Sequence, residues 1–83
     1  MTLTLDKVPP GQSARVEAIA GEDALAQRLM EFGLLEGEVV EVLSLAPLGD
    51  PLEIRVGHSR LSLRRSEART VSVTLLVARP PTD

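Results

Sequence analysis

Hydrophobic and polar positions alternate over short stretches of this chain, and only one longer stretch departs from the two-residue period. Leu3 and Leu5 alternate with Thr2 and Thr4, a two-residue period that predicts a short first strand. Val8-Pro9-Pro10-Gly11 then breaks the pattern, because two prolines cannot donate to a strand ladder. Residues 14–19 alternate loosely around Val16 and read as a second strand, ended by Gly21. In residues 23–32 the period lengthens. Leu25, Leu29 and Phe32 recur at i, i+4 and i+7, with Ala26 and Met30 widening the stripe, which predicts an amphipathic helix. Asp23 suits its N-cap, with Ala26 standing where a capping box would need Glu or Gln. Gly33 suits a left-handed residue just past its end, and Leu34 the apolar contact that goes with such a stop.

Extended structure returns after Glu36-Gly37. Residues 38–45 are rich in Val and Leu and read as a strand. The doublets Val39-Val40 and Val42-Leu43 mean that both faces are partly covered or that a bulge shifts the register. Residues 52–56 and 59–63 read as a hairpin around Gly57-His58, through a two-residue turn of type II′ or I′. With Val56 opposite Ser59, Ile54 faces Leu61 and Leu52 faces Leu63, so the apolar residues share one face. The same register sets Arg55 against Arg60, a like-charge pair that the diagonal Glu53 would offset. Residues 64–68 suit a single helical turn, residues 71–77 a last strand, and residues 80–83 a loose tail. The result is a mainly β domain over residues 1–79 with one main helix: a small, partly open barrel of five or six short strands. Closing the sheet protects strand edges where the core is small.

Composition narrows this picture. The chain has 83 residues, enough for one domain. Phe32 is the only aromatic residue, so the core must be aliphatic. The lack of cysteine excludes disulfides and thiolate metal sites. No apolar run approaches the roughly 18 residues of a membrane span, so direct membrane insertion is not expected. The N-terminus lacks the basic start and apolar core of a signal peptide, which fits a cytoplasmic protein. Net charge is −3, unevenly spread. Residues 1–51 hold nine acids against three bases, and residues 52–83 hold six bases against three acids. Such a polarity can orient docking to a partner.

Catalytic chemistry is not expected. His58 is the only histidine, and its neighbour Ser59 does not make a nucleophile–base pair by adjacency. His58 is a candidate ligand for a divalent transition metal, iron or zinc, with Asp50 or Glu53 or a second subunit completing the site; the alternative is an exposed turn histidine. No cofactor is required by any motif. Nucleic-acid binding through Arg55, Arg60, Arg64, Arg65 and Arg69 is the rival class. The acidic net charge and the single aromatic residue oppose it. The most distinctive surface is the apolar loop Ala46-Pro47-Leu48-Gly49-Asp50-Pro51-Leu52, together with the basic turn after Leu61-Ser62-Leu63.

Four segments in order resemble the FeoA family of ferrous iron transport proteins: Leu5 with Pro10-Gly11, Leu29-Met30-Glu31-Phe32-Gly33-Leu34 with Gly37, the loop of residues 46–52, and Leu61-Ser62-Leu63-Arg64 with Glu67-Ala68. Glu36 departs from the proline expected before the glycine. The resemblance implies an SH3-like barrel and, at this length, the stand-alone form rather than the terminal domain of an iron-dependent repressor. It implies an accessory role beside FeoB, a membrane transporter of ferrous iron with a cytosolic GTP-binding domain, and hence recruitment to the inner face of the membrane. It supplies no catalytic residue and no iron ligand.

On this reading the contact surface comprises Pro47, Leu48, Gly49, Asp50 and Pro51, with Arg64 and Arg65 adding electrostatic steering. Leu48 is the anchor unless it folds back onto the core, and Glu67 is the local partner that would compete for the arginines. A metal-responsive adaptor that self-associates through His58 is the alternative, and an exposed strand edge leaves a homodimer open.

Overall fold

The computed structural model describes residues 2–21 and 23–76. The six strands are β1 (Thr2–Thr4), β2 (Ser13–Ile19), β3 (Val39–Leu45), β4 (Leu52–Val56), β5 (Ser59–Leu63) and β6 (Val71–Leu76). Helix α1 (Ala24–Glu31) joins β2 to β3, and the single turn α2 (Arg65–Ala68) joins β5 to β6. All strands form one antiparallel sheet in the order β1-β6-β2-β3-β4-β5. The tail of residues 80–83 and the expected last residue of the final strand, Val77, lie outside the described residues.

The inward faces of the strands meet in a single core. Ala14 and Val16, Val40 and Val42, Leu52, Ile54 and Val56, Leu63, and Val71 and Val73 pack there with Leu5, Val8, Leu29, Leu34 and Ala68. One core shared by all but one of the strands, with Leu3 of β1 packed at its margin, requires the sheet to curl. The segments after the two edge strands then meet. The Arg65 guanidinium donates to the Asp6 carbonyl oxygen at 3.1 Å, and Arg69 Nε lies 3.6 Å from Asp6 Oδ2. Side-chain bonds thus join the ends of the sheet where no ladder does, which is the partly open barrel expected.

The β4–β5 register is the expected one at every pair, from Val56↔Ser59 to Leu52↔Leu63. Gly57 has φ +60° and no described non-glycine residue has positive φ, so the turn is type II′. The doublets in β3 resolve as a bulge: the register against β4 shifts between Val42 and Ser44. A second shift, in β2 between Val16 and Ala18, had no marker in the residue pattern.

Three expectations are corrected. The first strand stops at Thr4, and Leu5 enters a 3-10 turn over Leu5–Lys7. Leaving the sheet there lets Leu5 bury completely. The stripe of α1 is also narrower than its period suggests. Ala26 and Leu29 are buried and Leu25 packs against the core, but Met30 and Phe32 are exposed. Phe32 is the C-cap, where helical periodicity no longer applies. The chain reverses at Gly33 (φ +107°), with Gly33 N–H bonded to Met30 O at 3.0 Å and Leu34 N–H to Leu29 O at 3.1 Å. That paired motif delivers Leu34 to the core in place of Phe32. Finally, Arg55 stands opposite Arg60 as expected, but Glu41 of β3 neutralises it, not Glu53. β4 is an interior strand, so its nearest cross-strand acid lies on the other neighbour. Glu53 instead accepts a hydrogen bond from Ser44 Oγ at 3.4 Å.

Candidate functional site

Residues 46–51 join β3 to β4 as a closed loop. Ala46 N–H donates to Pro51 O at 3.1 Å, and Gly49 N–H to Ala46 O at 2.7 Å. The second bond closes a four-residue turn with Pro47 in the position where its restricted φ is favourable, and Gly49 takes φ +82° at its end. The Asp50–Pro51 peptide is cis. Leu48 occupies the tip and is 95% exposed, so it does not fold back onto the core.

The base of this loop is tied to the rest of the molecule by one residue. The Arg65 backbone N–H donates to Asp50 Oδ1 at 3.0 Å. Its guanidinium donates through Nη1 to Gly49 O at 3.1 Å and through Nη2 to Asp6 O at 3.1 Å. Arg65 therefore clamps the loop to the 3-10 turn after β1. Asp50, for its part, caps the first turn of α2. Arg64 is differently placed. Its backbone N–H is held by Glu67 Oε1 at 2.8 Å, while its side chain is exposed and has no carboxylate within 4 Å among the described residues. The alternative in which Glu67 pairs with the Arg64 or Arg65 side chain is not what the structure shows. The other Glu67 oxygen takes Arg28 Nη2 of α1 at 2.6 Å.

The loop side chains offer an apolar knob at Leu48 and the adjacent ring of Pro47, and Arg64, next in sequence to the clamp at Arg65, adds an exposed cation. They offer contact chemistry and no acid–base pair. Asp6 and Arg28, which brace this region, were missed from the sequence. Only their partners in space mark them, and those are 59 and 39 residues away.

The candidate metal ligands do not converge. His58 is exposed in the turn at one end of the β4–β5 hairpin. Asp50 lies beyond the other end, with the five residues of β4, about 16 Å of strand, between them. Glu53 is engaged with Ser44. Among the described residues no three of His, Cys, Asp and Glu are grouped closely enough to hold a metal ion. A site built from His58, Asp50 and Glu53 of one copy does not fit this geometry. No helix among the described residues is long and apolar enough to cross a membrane.

Comparison with known proteins gives this geometry its context. The family model of the FeoA domain matches residues 3–75. A Fe(2+) transport protein A/Fe(2+) transporter FeoB fusion protein of Porphyromonas gingivalis is 30% identical over 74 residues, which are 89% of this chain and 9% of the fusion protein. The chain therefore spans less than a tenth of that relative. The solution structure of FeoA from Chlorobium tepidum is 37% identical, with a TM-score of 0.85 over 94% of this chain and 74% of that one. The crystal structure of Stenotrophomonas maltophilia FeoA in complex with zinc, described as a prokaryotic SH3 domain protein, is 41% identical, with a TM-score of 0.77 over 86% of this chain and 88% of that one. The SH3-like barrel and the match along almost the whole chain agree: this protein belongs to the FeoA family, whose domain is associated with ferrous iron transport.

Proposed function

We propose that this protein is an accessory of ferrous iron uptake that docks through residues 46–51 onto the cytosolic side of a FeoB-type transporter, with the transporter's GTP-binding domain as the first contact to test. The observation that carries this reading is Leu48, a large apolar side chain held in solvent on a loop whose both ends are hydrogen-bonded in place. A leucine displayed in this way loses little conformational freedom on binding, so burying it contributes about 1.5–3 kcal/mol with a small opposing entropy. The P. gingivalis fusion supports the choice of partner, since it joins an Fe(2+) transport protein A and an Fe(2+) transporter FeoB on one chain. In this reading Pro47 and Leu48 make the contact. Gly49, Asp50, Pro51 and Arg65 hold its shape, and Arg64 steers it toward an acidic surface. The protein contributes no catalytic group of its own and acts at the cytoplasmic face of the membrane through its partner.

The test is binding of the purified protein to the isolated GTP-binding domain of its cognate transporter, with and without nucleotide. Specific binding that weakens at least tenfold in Leu48→Asp is the expected result. Equal binding by the variant would sink the loop as the contact.

The zinc complex of the S. maltophilia relative favours a second reading. Here the exposed His58 shares a divalent ion with Asp50 or Glu53 of another copy, since the three do not meet within one. Sedimentation with and without zinc decides it: the wild type dimerises with metal and His58→Ala does not, or the reading fails.

A further inference from the structure

β5 is an edge strand, and its free edge forms one wall of a groove of about 360 Å³ lined by Arg28, Phe32, Arg60, Leu61, Ser62 and Leu63. The two-residue turn makes Val56 and Ser59 a hydrogen-bonded pair, and in an antiparallel ladder such pairs alternate. Ser59, Leu61 and Leu63 therefore bond to β4, while the backbone N–H and C=O groups of Arg60 and Ser62 point into the groove without ladder partners among the described residues. The end of α1 supplies the facing wall. It places Phe32, the only aromatic residue of the chain, 47% exposed beside this edge.

Charge selects the occupant. Among the described residues two arginines line the groove and no carboxylate does. Arg28 shares its charge with Glu67, but Arg60 has no acid within 4 Å among the described residues and faces Arg55 across the hairpin. A second copy is a poor fit, because antiparallel pairing of two β5 edges would crowd both Arg60 side chains onto one short patch.

We propose that this groove is a docking site, separate from the Leu48 loop and independent of that reading, for an acidic extended segment of a partner protein that adds to β5 as a further strand. The backbone of the segment bonds to Arg60 and Ser62. Its acidic side chains lie beside Arg60, and its alternate apolar side chains cover Phe32 and Leu61.

A seven-residue peptide alternating glutamate and valine, titrated into the ¹⁵N-labelled full chain, tests this, with the lysine–valine counterpart as control. The expected result is saturable shifts at the Arg60 and Ser62 amides and the Phe32 ring with the glutamate peptide, at least fivefold tighter than with the lysine peptide. Ser62→Pro removes an outward donor at a position that costs the β4 ladder nothing, so the fold survives and binding is lost. Arg60→Glu, which keeps the strand intact, reverses the preference between the two peptides. Leu48→Asp leaves this binding unchanged, which separates the result from the fate of the loop. Shifts scattered over other arginines, no shift at Arg60 and Ser62, equal binding of both peptides, or concentration-dependent shifts at this edge without peptide each overturn the proposal; the last would assign the edge to a second copy.

Discussion

Arg64 and Arg65 are adjacent and chemically identical, yet the fold gives them different work. Arg65 spends both terminal nitrogens on carbonyl oxygens from distant segments, Gly49 and Asp6. Hydrogen bonds from a charged donor contribute about 1.5–3 kcal/mol when partly buried, and Arg65→Ala also leaves two carbonyls unpaired. We expect it to lower stability by about 2 kcal/mol in urea unfolding and to free the loop, visible as faster amide exchange at Gly49. Arg64→Ala loses only an exposed side chain and should stay within about 0.5 kcal/mol of the wild type. Leu48→Asp belongs with Arg64 on stability, since no packing is removed at a side chain in solvent, and with the docking surface on affinity. Equal destabilisation by Arg64→Ala and Arg65→Ala would refute this division of labour.

Among the elements, α1 depends most on its ends. Eight residues are too few for a stable isolated helix, so caps and packing carry it. At its start, Asp23 Oδ1 accepts from Ala26 N–H at 3.1 Å, and Asp23→Ala should cost about 1 kcal/mol. At its stop, Gly33 has φ +107°, and a Cβ there would meet Val56 Cγ1 at 3.4 Å. Gly33→Ala should therefore cost about 1–2 kcal/mol, most of it from backbone conformation, since a 3.4 Å contact needs only a small adjustment. A urea midpoint unchanged in Gly33→Ala would show that this stop does not need its left-handed residue. The same motif explains the groove beside β5. By sending Leu34 inward it leaves Phe32 at the surface.

For the whole molecule, strand pairing and the curling of the sheet bring the two chain halves of opposite net charge together. Glu41 meets Arg55, Asp6 meets Arg69, and Arg28 meets Glu67. The first two pairs consume part of the polarity seen along the sequence, Arg28–Glu67 joins the halves with the signs reversed, and Arg60 and Arg64 remain as basic side chains beside the candidate surfaces. Steering by them is screened over about 8–10 Å at ordinary ionic strength. Raising salt from 50 to 300 mM should then slow association with the transporter domain several-fold while changing dissociation little. A salt-independent association rate would remove Arg64 from the docking account.

What the sequence determined by itself was local. The hairpin register over residues 52–63 was legible because a two-residue turn sets the pairing and only one register puts Leu52, Ile54, Leu61 and Leu63 on a common face. The helix stop at Gly33 was legible because a left-handed residue there all but requires glycine. The loop of residues 46–52 stood out because two prolines and a glycine in seven residues admit few backbone paths. Tertiary structure decided the rest, since long-range neighbours have no signature in a short window. It chose Leu34 over Phe32 for the core, made Arg65 a clamp and left Arg64 free, gave Arg55 to Glu41 and Glu67 to Arg28, and parted His58 from Asp50. For the arginines and their carboxylate and carbonyl partners, a side chain's role depends on which other segment the folded sheet brings within about 3 Å of it, and that distance is settled only when the whole core closes.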